Sequence, residues 1–262
     1  MKQDGKRPVY IFAALVCALS ASAQTPSVEN TDPHYTELGF FDVHLCNWPD
    51  RPPFYMALFS TAQYQNISGV RVYFPDGNLA GELDMTRYRT INRPEKPEKH
   101  VFITHLPLSN QATDGWFSAI IKTLDGREMT AKDYVVHTLM PIIRDAAPAG
   151  GRELSSPPTQ LTWSPAPGAT HYQVTLRDEW NDNRVIFTSA LVTEPSKSMP
   201  PGLLQQGGRY SWVIHARDSN GNVLLGDFNH GSMSVPQTFS IAQQTPEAVL
   251  PVPAKAGTPV NE

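Results

Sequence analysis

Apolar and polar residues alternate with a period of two along most of this chain, the signature of strands with one buried and one wetted face. The alternating stretches are Glu37–Cys46, Tyr55–Phe59, Gly69–Phe74, Asn78–Leu83, His100–His105, Trp116–Thr123 and Glu128–His137. Two of the gaps carry specific turn chemistry. Pro75-Asp76-Gly77-Asn78 and Leu124-Asp125-Gly126-Arg127 each set an Asp-Gly pair between two such stretches, and tight hairpins need the positive φ that this pair supplies. Hairpins predict antiparallel sheets, and sheets with one apolar face must cover one another. With 24 prolines and 17 glycines in 262 residues, long helices are disfavoured and an all-β chain of short strands is expected.

The pattern divides the chain in two. Between Arg144 and Pro158 there is no strand-length apolar run, only Ala, Pro, Gly and Ser around a few charges, so a linker is expected over residues 146–157. By strand count, residues 34–145 form an immunoglobulin-like sandwich. Over residues 158–242, Leu161-Thr162-Trp163 alternates into a core tryptophan, Tyr172–Leu176 forms the next alternating strand, and Tyr210-Ser211-Trp212-Val213-Ile214-His215-Ala216 a later one. This stretch resembles a fibronectin type III domain. Trp163, Tyr210, Trp212, Ile214 and Ala216 match the positions that fill the space between the two sheets in that family. The resemblance implies a second sandwich and, by itself, no activity. Residues 243–262, with Pro246, Pro251, Pro253 and Pro259 among alanines, are expected to be a disordered tail.

The N-terminus changes where the protein is expected to work. Lys2, Lys6 and Arg7 precede an apolar run from Val9 to Leu19, and Ala21-Ser22-Ala23 offers the small residues that a signal peptidase reads. A cleaved signal peptide over residues 1–23 and an exported protein, periplasmic or secreted, follow. The apolar run is too short to span a bilayer, which needs about 20 residues. Cleavage removes three basic residues and Asp4, leaving 18 Lys and Arg against 24 Asp and Glu, a formal charge of −6. An acidic chain without a basic cluster is not built for nucleic acid. Only Cys46 survives processing, so no internal disulfide forms and packing alone must hold the fold.

Local catalytic signatures are absent. The sequence contains no Gly-x-Ser-x-Gly, His-Glu-x-x-His, Cys-x-x-Cys or phosphate-binding glycine loop, and a non-catalytic protein with no resident cofactor is expected. Three groups of residues carry candidate chemistry. Asp42, His44 and Cys46 share one face of a predicted strand; with His100, His105 or His137 they would suit copper or zinc, and the competing reading is a polar strand face turned to water. Trp48 and Tyr55 flank a proline-rich turn, where they either present an aromatic platform or cap the core. Trp180 lies in the hydrophilic connection Asp178–Asn183 with no obvious core partner. The leading expectation is an envelope or secreted interaction protein that holds a protein partner through its sandwich loops. Carbohydrate binding through the exposed aromatics and periplasmic metal binding are the alternatives.

Overall fold

The computed structural model describes residues 32–108, 113–218 and 229–243. The expected signal peptide, residues 219–228 and the expected tail beyond Gln243 lie outside the described residues. The described chain is all-β, with one short 3-10 turn at Tyr64–Asn66 and no α-helix, and none of its helices is long and apolar enough to cross a membrane.

Nine strands precede residue 136. They are β1 (Tyr35–Thr36), β2 (Gly39–Asn47), β3 (Phe54–Thr61), β4 (Ile67–Tyr73) and β5 (Leu79–Glu82), followed by β6 (Tyr88–Ile91), β7 (Lys99–Pro107), β8 (Gly115–Thr123) and β9 (Glu128–Val135). A layer ordered β2-β3-β7-β6 covers a second layer ordered β5-β4-β8-β9. Between them Phe41, Val43 and Leu45 of β2 meet Tyr55, Ala57 and Phe59 of β3, and Val70, Val72, Phe117, Ala119 and Ile121 from the opposite layer. Both Asp-Gly pairs turn hairpins as the sequence predicts, β4 to β5 and β8 to β9, with Gly77 at φ 84° and Gly126 at φ 85°.

The second half contributes β10 (Ala146–Ala147), β11 (Arg152–Leu154), β12 (Gln160–Trp163), β13 (His171–Asp178) and β14 (Arg184–Thr188). After these come β15 (Ser196–Ser198), β16 (Arg209–Arg217), β17 (His230–Met233) and β18 (Gln237–Ile241). A small sheet ordered β10-β12-β15 faces the larger sheet that holds β13, β16 and β18. All five residues that carry the fibronectin type III resemblance, Trp163, Tyr210, Trp212, Ile214 and Ala216, are buried in this second core. Trp212 Nε1 donates to the Pro148 carbonyl at 2.9 Å, and the Gln205 N–H donates to the Tyr210 hydroxyl at 2.9 Å. Gly208 has to be glycine, because a Cβ there would collide with that hydroxyl.

The segment read as a linker takes part in the second sandwich. Ala146 and Ala147 pair with Trp163 and Thr162, Arg152–Leu154 run parallel to Phe239–Ile241, and the second core already includes Met140 and Ile143. Glycine and proline set its bends, yet its backbone groups find ladder partners, which composition does not report.

The two halves are also continuous. Strand β17 pairs antiparallel with β16 and, on its other edge, parallel with β2, in the register His230 to Leu45, Gly231 to Cys46 and Ser232 to Asn47. Side chains tighten the junction, Asn47 Nδ2 donating to the Met140 carbonyl at 2.9 Å and Ser232 Oγ to the Pro141 carbonyl at 2.8 Å. Strand β2 is thereby internal rather than an edge.

A buried clamp ties the start of the described chain to this strand. Asp133 Oδ2 accepts the Val43 N–H at 2.6 Å and Oδ1 lies 2.8 Å from His34 Nε2. Replacing Asp133 with Ala strands a buried backbone donor, so unfolding in urea is expected to show a loss of about 1–3 kcal/mol with an unchanged m-value.

Candidate functional site

Strand periodicity decides what the outer faces of these sheets do. On β2 the odd residues enter the first core, so Asp42, His44 and Cys46 point the other way, joined by Met56 and Leu58 of β3 and by Val101 and Ile103 of β7. In the second sandwich Tyr172, Val174 and Leu176 are core residues, which turns His171, Gln173 and Thr175 of β13 outward. His215 and Arg217 of β16 follow by register.

These two outward faces look into one space. Through β17 the strands run in hydrogen-bonded order β14-β13-β16-β17-β2-β3-β7-β6, and all but β17 contribute side chains to a single open cleft of about 1410 Å³. Arg89 and Ile91 of β6 stand at one end of this curled sheet, Val185 and Thr188 of β14 at the other, with residues 190–194 and 196–198 completing the wall beside β14. The arrangement is an unclosed barrel. Strands tilt and twist enough to curl eight of them about a common space, but the first and last do not pair.

A polar cluster forms the floor. His44 Nδ1 lies 3.1 Å from Asp42 Oδ2. Arg217 Nε donates to His215 Nδ1 at 3.2 Å, and its Nη2 donates to Gln173 Oε1 at 3.1 Å. Burial, then the positive field of Arg217 and the neighbouring His105, pulls His44 down to about 3. His215 is held well below the usual imidazole range by burial and by the same guanidinium. Both rings are therefore neutral near neutral pH, and Arg217, itself lowered by burial, carries the charge. The Cys46 thiol is pushed up to about 12 by burial and by Asp42, so it is not a thiolate.

Among the described residues the candidate metal ligands are not gathered into one group. Asp42, His44 and Cys46 do share a face, but residues two apart on a strand are about 6.5–7 Å apart along the chain. Among the described residues no group of three or more His, Cys, Asp or Glu is placed to hold a metal. The candidate partners are engaged elsewhere: His100 stacks between Tyr64 and Tyr88 at centroid distances of 3.5 and 3.8 Å, and His137 Nδ1 meets the Tyr55 hydroxyl at 3.1 Å. His105 packs against Phe54 and Trp48. The reading of this row as a polar face turned to water is corrected by burial: Asp42 is only 1% exposed, and His44 and Cys46 are buried with it.

Trp48 and Tyr55 do not form one platform. Tyr55 points into the first core, 4.9 Å from the Phe117 ring, and burial pushes its hydroxyl up to about 12. Trp48 packs edge-on against Phe54 at 5.0 Å, with the Arg51 guanidinium 5.0 Å from its ring centre. Trp180 is 70% exposed, in a turn held by its own N–H donating to Asp178 Oδ1 at 3.0 Å. None of the three lines the cleft. Arg89, Gln173, His215 and Arg217 were not legible as site residues. Their only local signal was polar alternation opposite a known core, as in His171-x-Gln173-x-Thr175 and His215-x-Arg217.

No family model matches the chain, and no curated protein matches it. Among solved structures it is similar to a Bacteroides ovatus surface glycan-binding protein, SGBP-B of a mixed-linkage glucan utilization locus in complex with a heptasaccharide, at 12% identity and TM-score 0.23, covering 76% of this chain and 43% of that one. It is also similar to the first two immunoglobulin domains of DIP-gamma, at 11% identity and TM-score 0.22, covering 78% and 98%. A segment of titin matches at 13% identity and TM-score 0.27, covering 76% and 66%. The chain thus spans less than half the length of the first of these. At such scores the likenesses carry no argument about ligand or activity, and the sandwich architecture stands on the strand pairing itself.

The floor makes stability depend on pH. Unfolded His44 titrates near 6.5 and folded His44 near 3, so below 6.5 the unfolded chain takes up a proton that the fold refuses. Stability is full above about pH 6.5 and falls as pH drops toward about 3. Urea midpoints measured across this window should decline, and should decline less steeply in His44→Gln. The native Cys46 should resist iodoacetamide at mildly alkaline pH and react fully once the chain is unfolded.

Proposed function

We propose that this chain is an exported, non-catalytic binding protein that takes an extended segment of a partner protein into the cleft between its two sandwiches, the second of them a fibronectin type III-like domain. One observation carries the reading: seven strands from both sandwiches turn side chains into a single open space. Strand residues at the junction, together with the connection 190–194, supply its surface.

The chemistry of the wall favours polypeptide over sugar. Among the described lining residues are Met56, Leu58, Ile91, Val101, Ile103 and Val185, but no Trp, Tyr or Phe, the planar rings that stack on sugar faces. Polar groups between the aliphatic ones suit a peptide backbone and its mixed side chains. The non-catalytic part of the reading is supported by a Cys46 thiol and a His44 ring whose shifted proton affinities leave neither a nucleophile nor a general acid poised near neutrality. Export is supported by residues 1–23, through their basic start, apolar run and small-residue site.

The protein, expressed from the full sequence and purified after processing, is to be panned against a random peptide library and applied in parallel to a glycan array. Peptides should be selected, and their binding should fall at least tenfold in Ile103→Glu, which puts a carboxylate on the cleft wall at a partly exposed position, with thermal unfolding unchanged. Glycan hits together with an unselective library would overturn the assignment.

A further inference from the structure

The curled sheet ends at two free edges, and they are not equivalent. Strand β14 pairs only with β13, so its outer row of amide and carbonyl groups has no strand beside it among the described residues. Its sequence, Arg184-Val185-Ile186-Phe187-Thr188, combines high β propensity with a single charge and no proline or lysine, and its ladder to β13 is broken by one register shift, at Ile186. Val185 is 46% exposed.

Open space lies on both faces of this edge. On one side is the large cleft. On the other is a hollow of about 420 Å³ bounded by Ile186, Leu203, Tyr210, Asp178 and Arg184, and Val185 borders both. A strand laid along β14 would send alternate side chains to opposite faces, one set over the cleft and the other over the hollow. Main-chain bonds to a free edge combined with pockets for alternate side chains are what strand addition requires.

Charge selects the occupant. The described lining of the cleft contains the cations Arg89 and Lys197 against one acid, Glu194, while the third cation, Arg217, shares its buried cluster with the Asp42 carboxylate, and this local excess of positive charge stands in a chain whose processed form is net negative. Asp42 lies beneath the floor, bonded to His44. In the hollow, Asp178 already accepts the Trp180 N–H and the Asn181 amide, leaving Ile186 and Leu203 as the apolar surface there.

We propose that the partner segment binds by adding a strand to the free edge of β14, with acidic side chains over the cleft and aliphatic ones over the Ile186–Leu203 hollow. This rests on the cleft as the binding site and specifies how the segment is held. The ladder phase identifies the groups involved. Ser189 N–H donates to the Val174 carbonyl at 2.9 Å, and Phe187, opposite Leu176, shares that inward phase, so the Thr188 N–H faces outward.

The test uses an acetylated, amidated eight-residue peptide of alternating Glu and Val, with a Lys/Val peptide as control. The Glu/Val peptide should bind and the Lys/Val peptide bind at least tenfold more weakly. Thr188→Pro, which removes only an outward N–H at an edge position, should weaken binding at least tenfold, while Thr188→Val, which keeps the N–H, should not. Equal binding by Thr188→Pro, or an equal loss in Thr188→Val, overturns strand addition. Should Thr188→Pro fail to fold, hydrogen exchange on the unmodified protein decides: the Thr188 amide should gain protection when the Glu/Val peptide is added, and an unchanged rate overturns the proposal. A library peptide that is lost in Ile103→Glu yet bound equally by Thr188→Pro would sink strand addition and leave the cleft assignment standing.

Discussion

The double pairing of β17 is the constraint on which the rest depends. A four-residue strand satisfies β16 on one edge and β2 on the other, and so joins two sandwiches through backbone hydrogen bonds instead of through a flexible connection. Buried backbone groups must find partners, and here each sandwich supplies the partner that the other lacks. The angle between the two outer faces is therefore set by sheet twist and ladder register. The cleft is a consequence of that angle.

Placing β2 inside the continuous sheet also explains its odd chemistry. Asp42, His44 and Cys46 look like a solvent-facing row, yet they are buried, and burial of ionisable groups is tolerated when they are neutral or bonded. His44 and His215 satisfy this by staying unprotonated, Cys46 by keeping its proton, and Asp42 by its contact with His44. Arg217 keeps its charge among Gln173 and His215. Arg89 and Lys197 on the wall give the cleft two cations against Glu194 without a surface cluster of basic residues, which is why whole-chain charge gave no hint of it.

An unclosed barrel has a further physical consequence. Closure abolishes edges, and a sheet that stops short of closure keeps two. Strand β6 at one end is short and leads into a connection rich in charge, while β14 at the other is largely apolar, guarded only by one register shift, and bordered by space on both faces. Retaining such an edge carries an aggregation risk, and its position beside the cleft gives that risk a functional counterpart.

Local order was readable from the residues. Alternation placed the strands, Asp-Gly pairs placed two hairpins because only a few residue pairs accept their backbone angles, and Trp163, Tyr210 and Trp212 announced the second core. The segment 146–157 was misjudged because Gly and Pro report bends and not hydrogen-bond partners. What alternation could not say is whether the polar face of a strand meets water or another sheet. That is fixed by a partner far along the chain, as when Leu45 and Cys46 meet His230 and Gly231, and no period of two encodes it. The strands and their cores thus belong to the sequence, whereas the cleft, its charged floor and its open edge exist only once distant strands have paired.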